Sequence, residues 1–197
     1  MRLFTAVVPP PDVLDHLQEW LSDHAAGTDG ALRWTPRSRW HVTLGFFGDD
    51  DLDGRTAWLR LRLAGRTAPR LRLAGGGTFP GVLWAGVHTD DDGESLARLA
   101  EAAGASERDA GGQQFRPQRF QPHLTLARWH DARSGDRHGD PIGGRIGGRI
   151  DQAAQATVLH GYTGEWFRPD SVLLMRSDRV NRGLDYTPVE RFALAGD

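Results

Sequence analysis

The sequence predicts strands interleaved with helices, in α+β or α/β packing, with an internal duplication. Three observations carry this expectation. The tetrapeptide His41-Val42-Thr43-Leu44 returns as His123-Leu124-Thr125-Leu126. Short apolar runs that read as strands alternate with segments whose apolar residues recur at helical spacing. The resulting order, β-α-β-β-α-β and then β-α-β, makes the second half a loose echo of the first.

Taken in order, Leu3 to Val8 reads as a buried strand, stopped by Pro9-Pro10-Pro11. Asp12 to His24 follows as a helix, with Val13, Leu14, Leu17, Trp20 and Leu21 on one face and an acid in the first turn. Leu32 to Trp34 is a short strand, Pro36 marks a turn, and Trp40 to Phe47 is the first motif strand. Gly48-Asp49-Asp50-Asp51 ends that strand and opens a second helix, for which Leu52, Leu59 and Leu63 give one face. Arg70 to Ala74 alternates as a half-exposed strand does, and Gly75-Gly76-Gly77 is expected to break it before Thr78-Phe79-Pro80. Val82 to His88 is the next strand and Glu94 to Ala103 the next helix; after Pro122 the second motif strand runs from His123 to Trp129.

Residues 130 to 150 have no periodicity and carry the echo Gly143-Gly144-Arg145-Ile146, Gly147-Gly148-Arg149-Ile150. A mobile surface loop is expected there, with an Arg-bearing substrate lid as the functional alternative. A weak helix (Gln152 to Leu159), a strand (Ser171 to Arg176), a turn near Asn181-Arg182-Gly183 and a last strand through Phe192-Ala193-Leu194 complete the chain.

Composition removes several classes of function. The net charge of −2 gives no general drive toward a nucleic-acid backbone or an anionic membrane, so a nucleic-acid substrate must be small or gripped locally. All 24 basic residues are Arg, and the absence of Lys removes Schiff-base chemistry and Walker-type phosphate binding. There is no Cys, which excludes disulfides, thiolate catalysis and Cys-based metal sites. The apolar run at the N-terminus is too short for a signal peptide, and no stretch approaches the ~20 apolar residues of a membrane span. A soluble, cytoplasmic protein of 197 residues in one domain or two closely packed lobes is expected.

The chemistry lies in the repeated motif. Strand side chains alternate faces, so His41 and Thr43 point one way and Val42 and Leu44 the other; His123, Thr125, Leu124 and Leu126 repeat the pattern. Imidazole, with an unperturbed pKa of ~6.5, gives or takes a proton near neutrality. Metal-free phosphodiester hydrolysis needs a base for water, an acid for the leaving oxygen and donors for the non-bridging oxygens. Two imidazoles and two hydroxyls facing one another supply those parts. Metal binding is the chief rival, but His-x-Thr offers one good ligand per strand and no carboxylate lies within either motif. No nucleophile elbow is present.

The residues Arg2-Leu3-Phe4, Arg33-Trp34-x-Pro36, Trp40 through Gly48, Gly77-x-Phe79-Pro80, Val82 through Val87, Phe120-x-Pro122-His123 through Arg128, and Tyr186 resemble the RNA 2′,3′-cyclic phosphodiesterases. That family, long known as the 2′-5′ RNA ligases, belongs to the two-histidine phosphoesterases, and the resemblance runs in register from about residue 2 to 194. It implies an α+β fold of two lobes related by a pseudo-twofold axis, each an antiparallel-rich sheet with flanking helices. The whole of residues 1–197 is then a single two-lobed domain, its active site in the cleft between the lobes. It implies opening of a 2′,3′-cyclic phosphate to a 2′-phosphate with no metal and no cofactor. His41 is similar to the family's proton donor and His123 to its proton acceptor; Thr43 and Thr125 fall at its phosphate-binding threonines, Arg128 at a phosphate-contacting arginine and Phe46 at an aromatic that packs against the nucleobase.

Strict alternation places Phe46 and Arg128, each five residues after its histidine, on the core face, and they reach the cleft only if the strand twists, bulges or ends there. The family often carries Lys where Gly45 stands, so cationic help from that position is missing. The implied partners are RNA bearing 2′,3′-cyclic phosphate ends or cyclic nucleotides, acted on by a monomer with no membrane involved. Alternatives are a related phosphoesterase that trims RNA 3′ ends or opens ADP-ribose cyclic phosphate, and a non-catalytic RNA-end binding module.

Overall fold

A computed structural model describes residues 1–25, 32–106, 120–129, 156–180 and 183–196. The expected loop at 130–150, the first part of the expected helix at 152–159 and the turn at Asn181-Arg182 lie outside the described residues. The strands are β1 (Arg2–Val7), β2 (Arg33–Trp34), β3 (Val42–Asp49), β4 (Leu71–Phe79), β5 (Val82–Thr89), β6 (His123–Arg128), β7 (Ser171–Val180) and β8 (Gly183–Ala193). The helices are α1 (Pro11–His24), α2 (Leu52–Leu63) and α3 (Glu94–Ala102). Residues Thr157–Leu159 form a single 3-10 turn, where the sequence pattern suggested the end of a weak α-helix.

The strands join one eight-stranded sheet in the order β4-β5-β6-β3-β1-β7-β8, with β2 set against β6, and every named pair is antiparallel. The fold is therefore α+β. Its two halves, β8-β7-β1-β3 and β6-β5-β4, meet through one register pair, Val42 opposite Leu124. That pair sits inside the two copies of the repeated motif.

The alternation read from the sequence decides how the sheet is covered. Leu3 and Val7, Val42 and Leu44, Leu71 and Leu73, Leu124 and Leu126, and Val172 and Leu174 all join the main core, which also takes the inner faces of the three helices. From α1 these are Val13, Leu14, Leu17 and Leu21, at the spacing of one helical stripe. The Asp51 carboxylate caps α2 by accepting from the Gly54 N–H at 2.7 Å, a cap of about 1 kcal/mol. The opposite sheet face carries a smaller apolar cluster of Phe4, Ala6 and Met175, flanked by Phe46, Leu173 and Tyr186.

Two strands exceed their expected lengths. The glycines at 75–77 do not end β4; they run within it. Gly75 takes φ +56° where the ladder slips between Leu73 and Gly76, a glycine-dependent bulge. A Cβ on Gly77 would lie 2.6 Å from Cζ2 of Trp84, so the bare backbone is what lets that indole lie against β4. The β7–β8 hairpin is also longer than its apolar stretch, because its outer half is exposed and its sequence polar. Pro188 is accommodated because β8 is an edge strand with a register slip nearby.

Candidate functional site

The Val42–Leu124 pair fixes the centre of the site. Both side chains are fully buried toward the helices, so their chain neighbours His41, Thr43, His123 and Thr125 emerge on the open face, where all four are half-buried. Antiparallel pairing through that one point is a local twofold relation, and it sets one histidine and one threonine of each strand on either side. The structure thus brings together the four residues that the motif singled out.

The two histidines are held in the same way. Nδ1 of His41 lies 2.7 Å from the carbonyl of Arg39, and Nδ1 of His123 lies 2.8 Å from the carbonyl of Gln121. A carbonyl only accepts, so each Nδ1 carries the proton and donates it. The remaining nitrogen, Nε2, is then an acceptor in the neutral ring and a donor in the charged one, which is what reversible proton transfer requires. Both carbonyls lie two residues before their histidine, so the lock is built by the chain entering each strand.

Aromatic rings complete each setting. His41 stands 5.2 Å from Phe4 and 5.2 Å, edge-on, from Tyr186. His123 stands 5.1 Å, edge-on, from Phe79 and 6.3 Å from Trp84. The pKa of His41 is lowered, first by burial; the Arg39 carbonyl works the other way, and the nearby His123 and Arg128 charges add to the lowering. Those charges place His123 and Arg128 within electrostatic reach of His41. Among the described residues neither threonine hydroxyl has a hydrogen-bond partner, so both are available as donors.

Phe46 and Arg128 reach the open face through matched bulges. Along β3 the partner of Thr5 is Gly45 and that of Ala6 is Thr43, so Leu44 is the extra residue. Along β6 the partner of Leu83 is Ala127 and that of Trp84 is Thr125, so Leu126 is the extra residue. Each slip falls three residues after the histidine and reverses the alternation, leaving two consecutive buried residues, Leu44-Gly45 and Leu126-Ala127. Phe46 is consequently half-buried in the open-face cluster, with the Arg2 guanidinium 5.6 Å from its ring centre, and Arg128 is exposed.

Gly45 faces the other way. A Cβ there would lie 2.7 Å from the Ala103 carbonyl oxygen, which already accepts a 2.7 Å hydrogen bond from the Thr5 hydroxyl. The position is sealed against the end of α3.

The flanking rings were not assigned roles from the sequence. Phe4, Phe79, Trp84 and Tyr186 do fall in the segments that carry the family resemblance; in the structure Phe4 lies opposite Phe46, and Gly77 makes room for Trp84. Among the described residues no group of three or more His, Asp or Glu side chains gathers as a metal site. No helix of the described residues is long and apolar enough to cross a membrane. A cavity of about 390 Å³ beside Arg66, Arg70 and Arg98 contains none of these site residues, and its Arg70 and Arg98 are already paired with Asp90 and Asp91.

A sequence model of the 2′-5′ RNA ligase superfamily matches residues 9–138. The crystal structure of TT0787 of Thermus thermophilus is 28% identical, with a TM-score of 0.67 and coverage of 100% of both chains. A crystal structure described as a phosphoesterase is 25% identical, with a TM-score of 0.63 and coverage of 98% of each chain. E. coli LigT, crystallised with NADP+, is 24% identical, with a TM-score of 0.62 over 98% of this chain and 96% of that one. A search of curated proteins finds no match.

Proposed function

Because the chain belongs to the 2′-5′ RNA ligase superfamily, within the two-histidine phosphoesterases, we propose that it hydrolyses 2′,3′-cyclic phosphates at RNA ends or in cyclic nucleotides, yielding 2′-phosphates without a metal. The observation that carries this reading is the matched pair of carbonyl locks, at 2.7 and 2.8 Å, which leave Nε2 of both histidines for proton transfer beside two threonine hydroxyls.

In this mechanism neutral His123 takes a proton from water through Nε2 as the water oxygen bonds to phosphorus. The bond from phosphorus to the 3′-oxygen breaks, and charged His41 gives its Nε2 proton to that oxygen. The products are a 2′-phosphate and a 3′-hydroxyl, and solvent resets the two rings. Thr43 and Thr125 donate to the non-bridging oxygens, Arg128 adds positive charge, and Phe46 offers a ring to the base. Burial holds the His41 pKa down in the free protein, and the anionic substrate between the rings restores its charged form.

Turnover of a 2′,3′-cyclic mononucleotide in excess EDTA tests the reading. Wild type is expected to retain full activity and His123→Ala to lose at least about a hundredfold, the lower end for one positioned proton transfer. Activity that vanishes in EDTA and returns with a divalent ion would sink it.

A further inference from the structure

We infer that Arg37 and Asp15 act together as a positioning clamp for His41, fixing from outside the site the turn whose carbonyl holds that ring. The inference rests on the reading of His41 as the acid. The lock on His41 is only as firm as the peptide that supplies its carbonyl. That peptide belongs to Arg39, the last residue of the 3-10 turn Arg37–Arg39. Two backbone bonds close the turn, from the Arg39 N–H to the Pro36 carbonyl at 2.8 Å and from the Trp40 N–H to the Arg37 carbonyl at 2.9 Å. A turn this short has poor hydrogen-bond geometry of its own, so its anchors decide where the carbonyl lies.

Both ends are anchored. After the turn, the Trp40 indole is buried in the main core and donates to the Thr35 carbonyl at 3.0 Å. At its start, the Arg37 guanidinium forks: Nη1 lies 2.5 Å from the Asp15 carboxylate, and Nη2 donates to the Pro11 carbonyl at 2.8 Å. Antiparallel β1 and β3, with Val7 opposite Val42, bring the chain leaving β1 beside the chain entering β3, which puts the start of α1 within reach. A planar fork spanning a carboxylate and a carbonyl fixes orientation as well as position, which a point charge does not. Arg37 itself lies on the helix side, lining a cavity with Gln18 and Leu21 of α1. Asp185 adds a looser tie, 3.8 Å from the Arg39 guanidinium, one residue before the Tyr186 ring that stands edge-on to His41.

The geometry of the clamp and its charge push His41 in opposite directions. Burial lowers the His41 pKa and the bond to the Arg39 carbonyl opposes that lowering, so a displaced carbonyl lets the pKa fall. Deleting the positive charge of Arg37 would by itself favour the imidazolium and let the pKa rise. The charged or titratable groups facing the ring are His123 and Arg128 of β6 and Tyr186 of β8, and none of them is altered in the variants below.

The test is an NMR titration of the His41 ring, assigned against His41→Ala, beside kcat on a 2′,3′-cyclic mononucleotide. Arg37→Ala is expected to move the His41 pKa down and to speed exchange of its Nδ1 proton, while the Nδ1 proton of His123 stays as protected as in wild type. It should lower kcat by about three- to tenfold with KM within about twofold. Asp15→Ala should do the same, the double variant should be no worse than either single one, and Arg37→Lys should recover part of the loss. Arg98→Ala, which breaks an exposed pair with Glu94 on α3, is the control and should change none of these.

An upward shift of the His41 pKa in Arg37→Ala would make the effect one of charge and overturn the clamp. So would an unmoved His41 titration, or losses that multiply in the double variant. The two readings fail separately. Wild type that opens no cyclic phosphate while His41 still shifts loses the reaction and keeps the positioning of the ring; wild type that opens it with His41 unmoved does the opposite.

Discussion

Replacing His41 with Ala separates chemistry from folding, because the structure ties the imidazole to rather little. Among the described residues the ring makes one hydrogen bond, 2.7 Å to the Arg39 carbonyl, worth about 0.5–1.5 kcal/mol net. Its other contacts are the rings of Phe4 and Tyr186, at 5.2 Å each, on a half-buried face. Truncation therefore costs about 1–2 kcal/mol, a fall of roughly 2–8 °C in Tm for a chain of this length. The loss of a positioned acid costs about 10²–10⁴ in rate, or ~3–5 kcal/mol at the barrier. Saturating kinetics on a 2′,3′-cyclic mononucleotide, beside a thermal melt, read both quantities. His88 is the control, since it also contacts a carbonyl, that of Ala74 at 3.1 Å, but takes no part in the site. His88→Ala should keep its rate within about twofold. A folded His41→Ala that retains more than about a tenth of wild-type kcat would refute the assignment of His41 as acid.

Thr43→Val and Thr125→Val preserve strand shape and remove one hydroxyl donor each; kcat/KM should fall by about 1–3 kcal/mol in transition-state terms while remaining measurable. A folded variant with no detectable turnover would mean that the hydroxyl does more than bond the phosphate. An anion between the rings favours the charged imidazole, so the bell-shaped pH profile of kcat should lie at higher pH than that of kcat/KM. Its limbs belong to the coupled pair, and coincident or reversed profiles would contradict that electrostatic effect. Gly77→Ala places a Cβ 2.6 Å from Trp84 and should lower stability by ~1–3 kcal/mol while slowing turnover, because that indole lies 5.1 Å from Phe79 and 6.3 Å from His123. An unchanged melt and rate would show that the indole is not wedged there.

The motif was legible because His41, Thr43, His123 and Thr125 obey plain alternation, and their buried neighbours Val42 and Leu124 turn out to be the residues that join the two halves. Phe46 and Arg128 were legible only as a resemblance. A bulge shifts the phase by one residue, and Leu44-Gly45 and Leu126-Ala127 look the same in sequence whether or not they are bulged. The glycines at 75–77 misled for a related reason: glycine is depleted in strands as a rule, and what requires it here is the Trp84 indole lying across the β4–β5 pair opposite Gly77, a packing detail that composition does not show. That Arg33 stands opposite Arg128 was not legible, since the pairing depends on β2 docking beside β6 in three dimensions.

Two locked histidines in the roles proposed for them should open a cyclic phosphate in one sense only. Phosphorus NMR of the product formed from a 2′,3′-cyclic mononucleotide in excess EDTA tests this most directly. A single 2′-phosphate resonance is expected from wild type, with none from His41→Ala or His123→Ala over the same interval. A 3′-phosphate product would reverse the placement of the sugar between the rings, and equal turnover by either variant would remove the histidines from the reaction.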